Sequence, residues 1–178
     1  MFGHSHGCAY TLWYAANNPD KLDGIILASP PVTVAAGSRV PRSQFLMFAL
    51  LLIFRPKTMY SFGKPDGPEE LNSNPLMARR LSIRWLYGSK KYLLSPLLQN
   101  AAKFQKPALI VQGDEDIVTL SEGAKTLFET LRSSEKSIKT FPSTDHFLYG
   151  ALFPSLSYGD PMKKREVSDF VGRWLTKY

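Results

Sequence analysis

Short apolar runs alternate with amphipathic stretches along this chain, and this alternation predicts a mixed α/β fold. Short apolar runs bounded by turn residues are typical of strands that are buried on both faces of a parallel sheet. The predicted strands are 22–28, 107–112 and 137–141. Apolar positions at helical spacing predict helices over 8–16, 121–131 and 164–178, and Pro19 prevents the first of them from continuing.

The segment between 32 and about 106 has a different pattern. Residues 45–54 are ten apolar residues without a charge, a run too short for a bilayer span, which needs about 20. A helix that is apolar all round requires a cover, whether core, partner protein, lipid or apolar ligand. Further helices are expected from Asn74 and Pro75 through Leu86, and from about 95 to 104. Helices with no strand between them predict a lid over the sheet, and a helical insertion without a substrate role is the alternative.

The composition is that of one globular domain. The chain has 178 residues, enough to bury a sizeable core, and a formal charge of +7. Its basic residues are scattered in pairs and do not form one face with interleaved aromatics, which argues against nucleic-acid binding.

The single cysteine, Cys8, excludes an internal disulfide and favours a reducing, cytoplasmic location. We interpret Cys8 as a small buried hydrophobic residue. Peripheral membrane contact through the apolar lid helix is a further expectation.

The clearest chemical signal is Gly3-His4-Ser5-His6-Gly7, which matches G-x-S-x-G. This pattern describes a tight strand-to-helix turn, or elbow, that exposes a nucleophilic serine. Both glycines are expected to be required sterically, because a Cβ at either position would strike the neighbouring strand or helix. The pattern alone is a weak signal. Only Met1 and Phe2 precede it, too few residues for the strand that such a turn requires.

A serine nucleophile needs a base to take its proton and a carboxylate to orient that base. Around an elbow of this kind the three groups follow in the order Ser, Asp or Glu, His. The chain offers Ser5, then Asp116 after a predicted strand, then His146 after the next one. His4 and His6 flank the serine, and we expect their side chains to diverge from its hydroxyl. His146 is therefore the candidate base.

The acid has several candidates. Asp114 and Glu115 precede Asp116 in the same turn, and Asp145 adjoins His146. Asp114 suits a turn in which its side chain bonds to its own backbone. In an extended loop Asp145 would point away from its neighbouring histidine. We predict Asp116 as the acid.

The elbow and the segments 19–27 and 107–118 together resemble the α/β-hydrolase family, and within it the monoacylglycerol-lipase and lysophospholipase branch. Members of that branch usually read G-H-S-M-G-G at the elbow and have a histidine after the final strand. The resemblance covers nearly the whole chain. It implies an α/β fold with a mostly parallel sheet built from 1–30 and 107–178, and a helical cap over 31–106.

The same resemblance implies roles for the candidate residues. Ser5 would be the nucleophile, Asp116 the acid and His146 the base, and the backbone N–H of His6 would stabilise the oxyanion. The implied activity is that of a serine hydrolase that cleaves carboxylic esters of acyl-glycerol or lysophospholipid type through an acyl-enzyme. The expected partner is thus a small lipid-like ester, without a cofactor, metal ion or nucleic acid. A peptidase or thioesterase of the same fold is an alternative, and the oligomeric state stays open.

Two departures separate the chain from this family pattern. His6 and Cys8 replace the usual methionine and second glycine, which should be tolerated because the oxyanion donor is a backbone group. The family also has strands and a second oxyanion donor before the elbow, and none lies between Met1 and Gly3. We therefore expect a partial α/β-hydrolase fold that lacks the N-terminal strands and has an unpaired sheet edge. A non-catalytic remnant that binds a lipid or partner protein is the alternative function.

Overall fold

The computed structural model describes residues 1–35, 44–61, 80–148, 151 and 159–178. The expected helix start at Asn74 and Pro75 lies outside these residues. In chain order the elements are β1 (Phe2–His4), α1 (Gly7–Asn17), β2 (Ile25–Ala28), α2 (Phe45–Phe54), β3 (Met59–Ser61), β4 (Arg80–Ser82), α3 (Ile83–Ser89), α4 (Leu97–Ala101), β5 (Ala108–Gly113), α5 (Ser121–Thr130), β6 (Lys136–Phe141) and α6 (Pro161–Leu175). A 3₁₀ turn (Pro19–Lys21) follows α1, and a π-helical turn (Lys90–Leu94) follows α3.

A parallel sheet of four strands, in the order β1, β2, β5, β6, forms the centre of the described structure. The presence of β1 corrects the expectation that too few residues precede the elbow to form a strand. Three residues suffice because β2 supplies a partner for each of them. The register is Phe2 with Ile26, Gly3 with Leu27 and His4 with Ala28. The edge of the sheet at β1 has no further strand among the described residues.

Helices cover both faces of this sheet. Ile25 and Leu27 of β2 pack with α1, α4 and α5 on one face, whereas Ile26 and Ala28 pack with α6 on the other. All six residues of β5 are buried, as expected of a parallel strand that is covered on both sides. Each fully buried leucine or isoleucine contributes about 2 kcal/mol of hydrophobic stabilisation. The three predicted strands are therefore present, and β2 and β5 are buried along their whole length.

The segment between β2 and β5 contains a two-stranded antiparallel sheet of β3 and β4, which corrects the expectation of helices alone. Leu81, which the helical pattern placed on a helix face, lies in β4 opposite Tyr60. Helix α3 begins at Ile83, because the Ser82 hydroxyl accepts a hydrogen bond from the N–H of Trp85 at 3.1 Å. A serine in this position caps a helix and so sets its start. The division into a core and a cap over 31–106 stays a prediction.

Helix α2 coincides with the apolar run at 45–54, but none of its side chains is buried. Leu46, Ile53 and Phe54 are 72%, 70% and 74% exposed. The described part of this chain therefore covers such a helix only in part, through contacts such as that of Phe48 with Tyr60. Among the described residues no helix is both long and apolar enough to cross a membrane.

The closing helix α6 begins at Pro161, earlier than the predicted start at 164. The Asp160 side chain accepts a hydrogen bond from the N–H of Met162 at 2.8 Å. An aspartate cap followed by a first-turn proline is a common helix start. Val167, Val171 and Trp174 then face the sheet, as the periodicity predicts.

The two glycines of the elbow are not equivalent. A Cβ on Gly3 would lie 2.5 Å from Thr11 Oγ1 and 2.7 Å from the carbonyl oxygen of Gly7. A Cβ on Gly7 would meet nothing within 4 Å. The steric expectation is therefore met at Gly3 and is wrong at Gly7, whose Cα faces open space at the start of α1.

This contrast predicts unequal effects of two matched substitutions. Gly3→Ala should lower the free energy of unfolding by about 2 kcal/mol, because the new methyl group overlaps a backbone carbonyl that cannot move freely. Gly7→Ala should leave stability unchanged or raise it by up to about 1 kcal/mol, because alanine is the better helix former. Urea denaturation of both variants measures the difference. Equal losses in the two variants would contradict this account of the elbow.

Candidate active site

Ser5 stands where β1 turns into α1. Its backbone φ is 51°, in the left-handed region, which costs a residue other than glycine about 1–3 kcal/mol. The N–H of Ser5 donates to the carbonyl of Ala28 at 2.8 Å, and the carbonyl of Ser5 accepts from the N–H of Cys8 at 2.9 Å. Strand β2 and the first turn of α1 thus hold the strained residue from both sides.

The loop after β6 brings His146 to Ser5. Nε2 of His146 lies 3.0 Å from Oγ of Ser5, and its Nδ1 lies 2.8 Å from Oδ2 of Asp116. An ionised carboxylate can only accept, so Nδ1 carries the ring hydrogen and the lone pair of Nε2 faces the serine hydroxyl. The three side chains that the sequence singled out therefore form one hydrogen-bonded chain. Their catalytic roles stay a prediction.

Asp116 is buried after β5 and is held by several donors. Its Oδ1 accepts from the N–H groups of Val118 and Thr119, both at 2.8 Å. Its Oδ2 accepts from Oγ1 of Thr119 at 2.7 Å and from Nε2 of Gln112 at 2.9 Å. Burial alone would raise the pKa of Asp116. The hydrogen bond and charge of His146 and the donors of Thr119 outweigh this effect and lower the pKa to about 2. The carboxylate is therefore ionised and fixed in orientation.

Sequence reasoning missed the two side chains that hold the acid, Thr119 and Gln112. The spacing Asp116-x-x-Thr119 was a usable signal, because an aspartate commonly bonds to backbone and hydroxyl groups two and three residues later. Gln112 left no such signal. It lies within the apolar strand β5, and only the tertiary structure turns its amide toward Oδ2.

Two of the alternative acids, Asp114 and Asp145, bond elsewhere. Oδ1 of Asp114 accepts from the N–H of Thr144 at 3.4 Å, and Oδ1 of Asp145 accepts from the N–H of Phe147 at 3.1 Å. Both carboxylates thus accept hydrogen bonds from backbone N–H groups in the loop on either side of His146. Of the four candidates, Asp116 is the one whose hydrogen bond to the His146 ring the structure gives.

His4, to which sequence reasoning assigned no role, lies against the candidate base. The carbonyl oxygen of His146 accepts from Nε2 of His4 at 2.8 Å and from Oγ of Ser29 at 2.9 Å. The rings of His4 and His146 are 4.9 Å apart between centroids. Burial and the neighbouring His146 lower the pKa of His4 from 6.5 to about 4. A neutral His4 therefore helps to hold the backbone of the loop that carries the base.

His6 connects the elbow to the segment between β2 and β5. Its Nε2 lies 2.7 Å from Oγ of Ser89 in α3, and burial lowers the pKa of the His6 ring. The backbone N–H of His6 stands at the start of α1, where N–H groups have no acceptor within the helix. The role of this N–H as the oxyanion donor stays a prediction.

The thiol of Cys8 does not add a second nucleophile. Cys8 is fully buried, and its Sγ donates weakly to the carbonyl of Gly3 at 3.2 Å. Burial raises the pKa of this thiol far above its ordinary value, so it carries no thiolate at neutral pH. In the described ranges no cluster of His, Cys, Asp and Glu side chains is placed to bind a metal ion.

The lowered pKa of His4 predicts a loss of stability in acid. Between pH 6.5 and about 4 the unfolded chain binds a proton at His4 and the folded chain does not. The free energy of unfolding should therefore fall across this window, by about 3 kcal/mol from this residue. His4→Gln keeps an amide donor for the His146 carbonyl but removes the titration. Urea unfolding at pH 7 and pH 4.5 should show a smaller loss in the variant, and equal losses would contradict the assignment.

Relatives of this chain are known from sequence and from structure. It is 28% identical over 159 residues to the monoglyceride lipase of Mus musculus, and the match covers 85% of this chain and 52% of that protein. The crystal structure of Paleococcus ferrophilus monoacylglycerol lipase has a TM-score of 0.78 at 24% identity, covering 99% of this chain and 67% of that one. A soluble variant of monoglyceride lipase from Saccharomyces cerevisiae, in complex with a substrate analog, also has a TM-score of 0.78, at 20% identity, covering 99% and 61%.

These comparisons confirm the partial α/β-hydrolase fold that the sequence predicts. The chain spans about half the length of the mouse lipase, and both solved structures share its fold over 99% of its residues. Residues 1–150 match the family described as serine aminopeptidase, S33. The chain therefore belongs to this family of α/β hydrolases and resembles its monoglyceride-lipase branch.

Proposed function

We propose that this chain is the catalytic part of a serine hydrolase that cleaves carboxylic esters of lipid type. The observation that carries the proposal is the continuous hydrogen-bonded chain from Asp116 Oδ2 through the His146 ring to Ser5 Oγ, with distances of 2.8 and 3.0 Å. Such an arrangement increases the nucleophilicity of serine, which is otherwise poor at neutral pH.

The proposed chemistry has two stages. Ser5 Oγ attacks the ester carbonyl carbon while Nε2 of His146 takes its proton, and the carbonyl electron pair becomes an oxyanion. The backbone N–H of His6 donates to that oxyanion, which is the charge that develops in the transition state. When the carbonyl re-forms, the carbon–oxygen bond to the alcohol breaks and the alcohol leaves with the proton from His146. Water, activated by His146, then cleaves the acyl-enzyme and releases the acid.

Asp116 has a supporting role in this scheme. Its ionised carboxylate keeps the hydrogen on Nδ1 of His146 and stabilises the imidazolium that forms during each stage. With a pKa of about 2, the carboxylate stays charged over the pH range in which esters are usually hydrolysed. It does not itself need to take the proton.

The proposed substrate is an acyl-glycerol or a lysophospholipid-like ester. A cleft of about 310 Å³ lies between α2 and α3, and it is lined by Phe45, Phe48, Ala49, Leu52, Ile83, Leu86, Tyr87 and Lys90. Its lining is mainly apolar, which suits an alkyl chain. The relatives from mouse, Paleococcus ferrophilus and yeast are monoglyceride or monoacylglycerol lipases, which supports the same substrate class.

The proposal extends to where the protein acts. The exposed apolar residues of α2 suit peripheral contact with a lipid surface, from which a lipid ester would be drawn. The scattered positive charge would add weak attraction to anionic membranes. A cytoplasmic location with such contact is part of the proposal.

Covalent labelling tests the central claim. A fluorophosphonate probe should label the wild-type chain, because it reacts with an activated serine. Ser5→Ala should abolish labelling, and His146→Ala and Asp116→Asn should each slow it by at least about 10³-fold. Asp145→Asn is the matched control, since its carboxylate bonds to a turn, and it should label at the wild-type rate. Absence of Ser5-dependent labelling in the wild-type chain would contradict the proposal.

The apolar cleft predicts a preference for long acyl chains. Ala49→Trp places an indole in the cleft and should lower kcat/KM for long-chain esters about tenfold, with little effect on short-chain esters. Ile53→Trp is the control, because this residue lies on the same helix, 70% exposed and outside the cleft lining. Rates on esters of increasing chain length measure the difference. Equal losses for short and long chains in Ala49→Trp would contradict the assignment of the cleft.

A further inference from the structure

The side chain of His6 has no part in the proton relay, yet it is held firmly. Its Nε2 lies 2.7 Å from Oγ of Ser89. The ring also packs near two aromatic side chains, 5.1 Å from Trp85 and 5.4 Å from Tyr10 between centroids. An imidazole held at its polar end by a hydrogen bond and flanked by two aromatic rings has lost much of its rotational freedom.

Ser89 is well placed to act as an anchor. It is the last residue of α3 and is 7% exposed, so water competes little for its hydroxyl. The π-helical turn Lys90–Leu94 begins at the next residue. A π-helical turn alters the direction of the side chains around it and often occurs next to functional sites.

The same residue, His6, carries the backbone N–H that the proposed mechanism aims at the oxyanion. In the proposed mechanism the backbone of this residue serves the oxyanion, while its side chain bonds to Ser89 of α3. The orientation of an oxyanion donor matters strongly, because removing one donor costs about 10²–10³ in rate. A partial loss of orientation should cost less, in the range of about tenfold.

We propose that the His6 side chain is a positioning residue, which fixes the backbone N–H of His6 by bonding to Ser89 and so couples the seating of α3 to oxyanion stabilisation. This inference rests on the proposed function. It concerns the side chain alone, whereas the proposed mechanism needs only the backbone of the same residue.

The coupling predicts a specific pattern among paired variants. Ser89→Ala and His6→Met remove the hydrogen bond, and each should lower kcat about tenfold with less than about twofold change in KM. Ser89→Thr keeps a hydroxyl, and His6→Gln keeps a polar group at the Nε2 position. Both should retain kcat within about twofold. The double variant His6→Met with Ser89→Ala should be no slower than either single variant, because the two act through one bond.

A matched control separates this role from general stabilisation of the cap. Ser95 is exposed and follows the same π-helical turn, so Ser95→Ala should leave kcat unchanged. The ring ¹⁵N signal of His6, measured by NMR on the full chain, gives a readout that does not depend on activity. It should shift in Ser89→Ala and stay near its wild-type position in Ser89→Thr and Ser95→Ala.

The outcomes distinguish the two proposals. The coupling would be overturned if Ser89→Ala or His6→Met kept the wild-type kcat, or if the losses of the two single variants multiplied in the double variant. The proposed function would not be affected by either result. An unchanged His6 ring signal in Ser89→Ala would overturn it as well. If the wild-type chain shows no Ser5-dependent labelling, the proposed function fails and this inference fails with it.

Discussion

Parallel pairing of the strands is the constraint on which the candidate site depends. Parallel strands end at the same edge of a sheet, so the turns after β1 and β5 and the loop after β6 meet there. Those segments carry Ser5, Asp116 and His146. The close approach also needs Gly113 at the end of β5, because a Cβ there would overlap the backbone carbonyl of Thr144. The geometry of the site therefore depends on the register of the parallel strands and on the absence of a side chain at Gly113.

Hydrogen bonds to the buried carboxylate of Asp116 keep it ionised and fix the orientation of the His146 ring. A buried charge is costly unless donors surround it, and Asp116 receives donors from Val118, Thr119, Gln112 and His146. Because the carboxylate stays ionised, it determines which nitrogen of His146 carries the hydrogen. The same network therefore sets the tautomer of His146 that the proposed mechanism requires.

The helices of the segment between β2 and β5 differ in how far they pack against the core. Helix α4 packs in the main core, whereas α2 leaves its apolar side chains exposed. Between them, α3 contacts the elbow through Ser89 and Trp85.

Sequence reasoning predicted α2 with its correct bounds, because ten consecutive apolar residues between arginines admit few alternatives. It missed the pairing of β3 with β4, since strands of three residues are too short to show a period of two.

The sequence by itself determined the fold class, the buried strands and the three candidate catalytic residues, because apolar periodicity and the order Ser, Asp, His are local or linear properties. It could not determine that β1 forms from three residues, that Gly7 is free of steric contact, or that Gln112 and Thr119 hold the acid. Nor could it assign His4 to the loop of the base or His6 to Ser89. These features join segments that are distant along the chain, and their distances exist only once the sheet and its helices have packed.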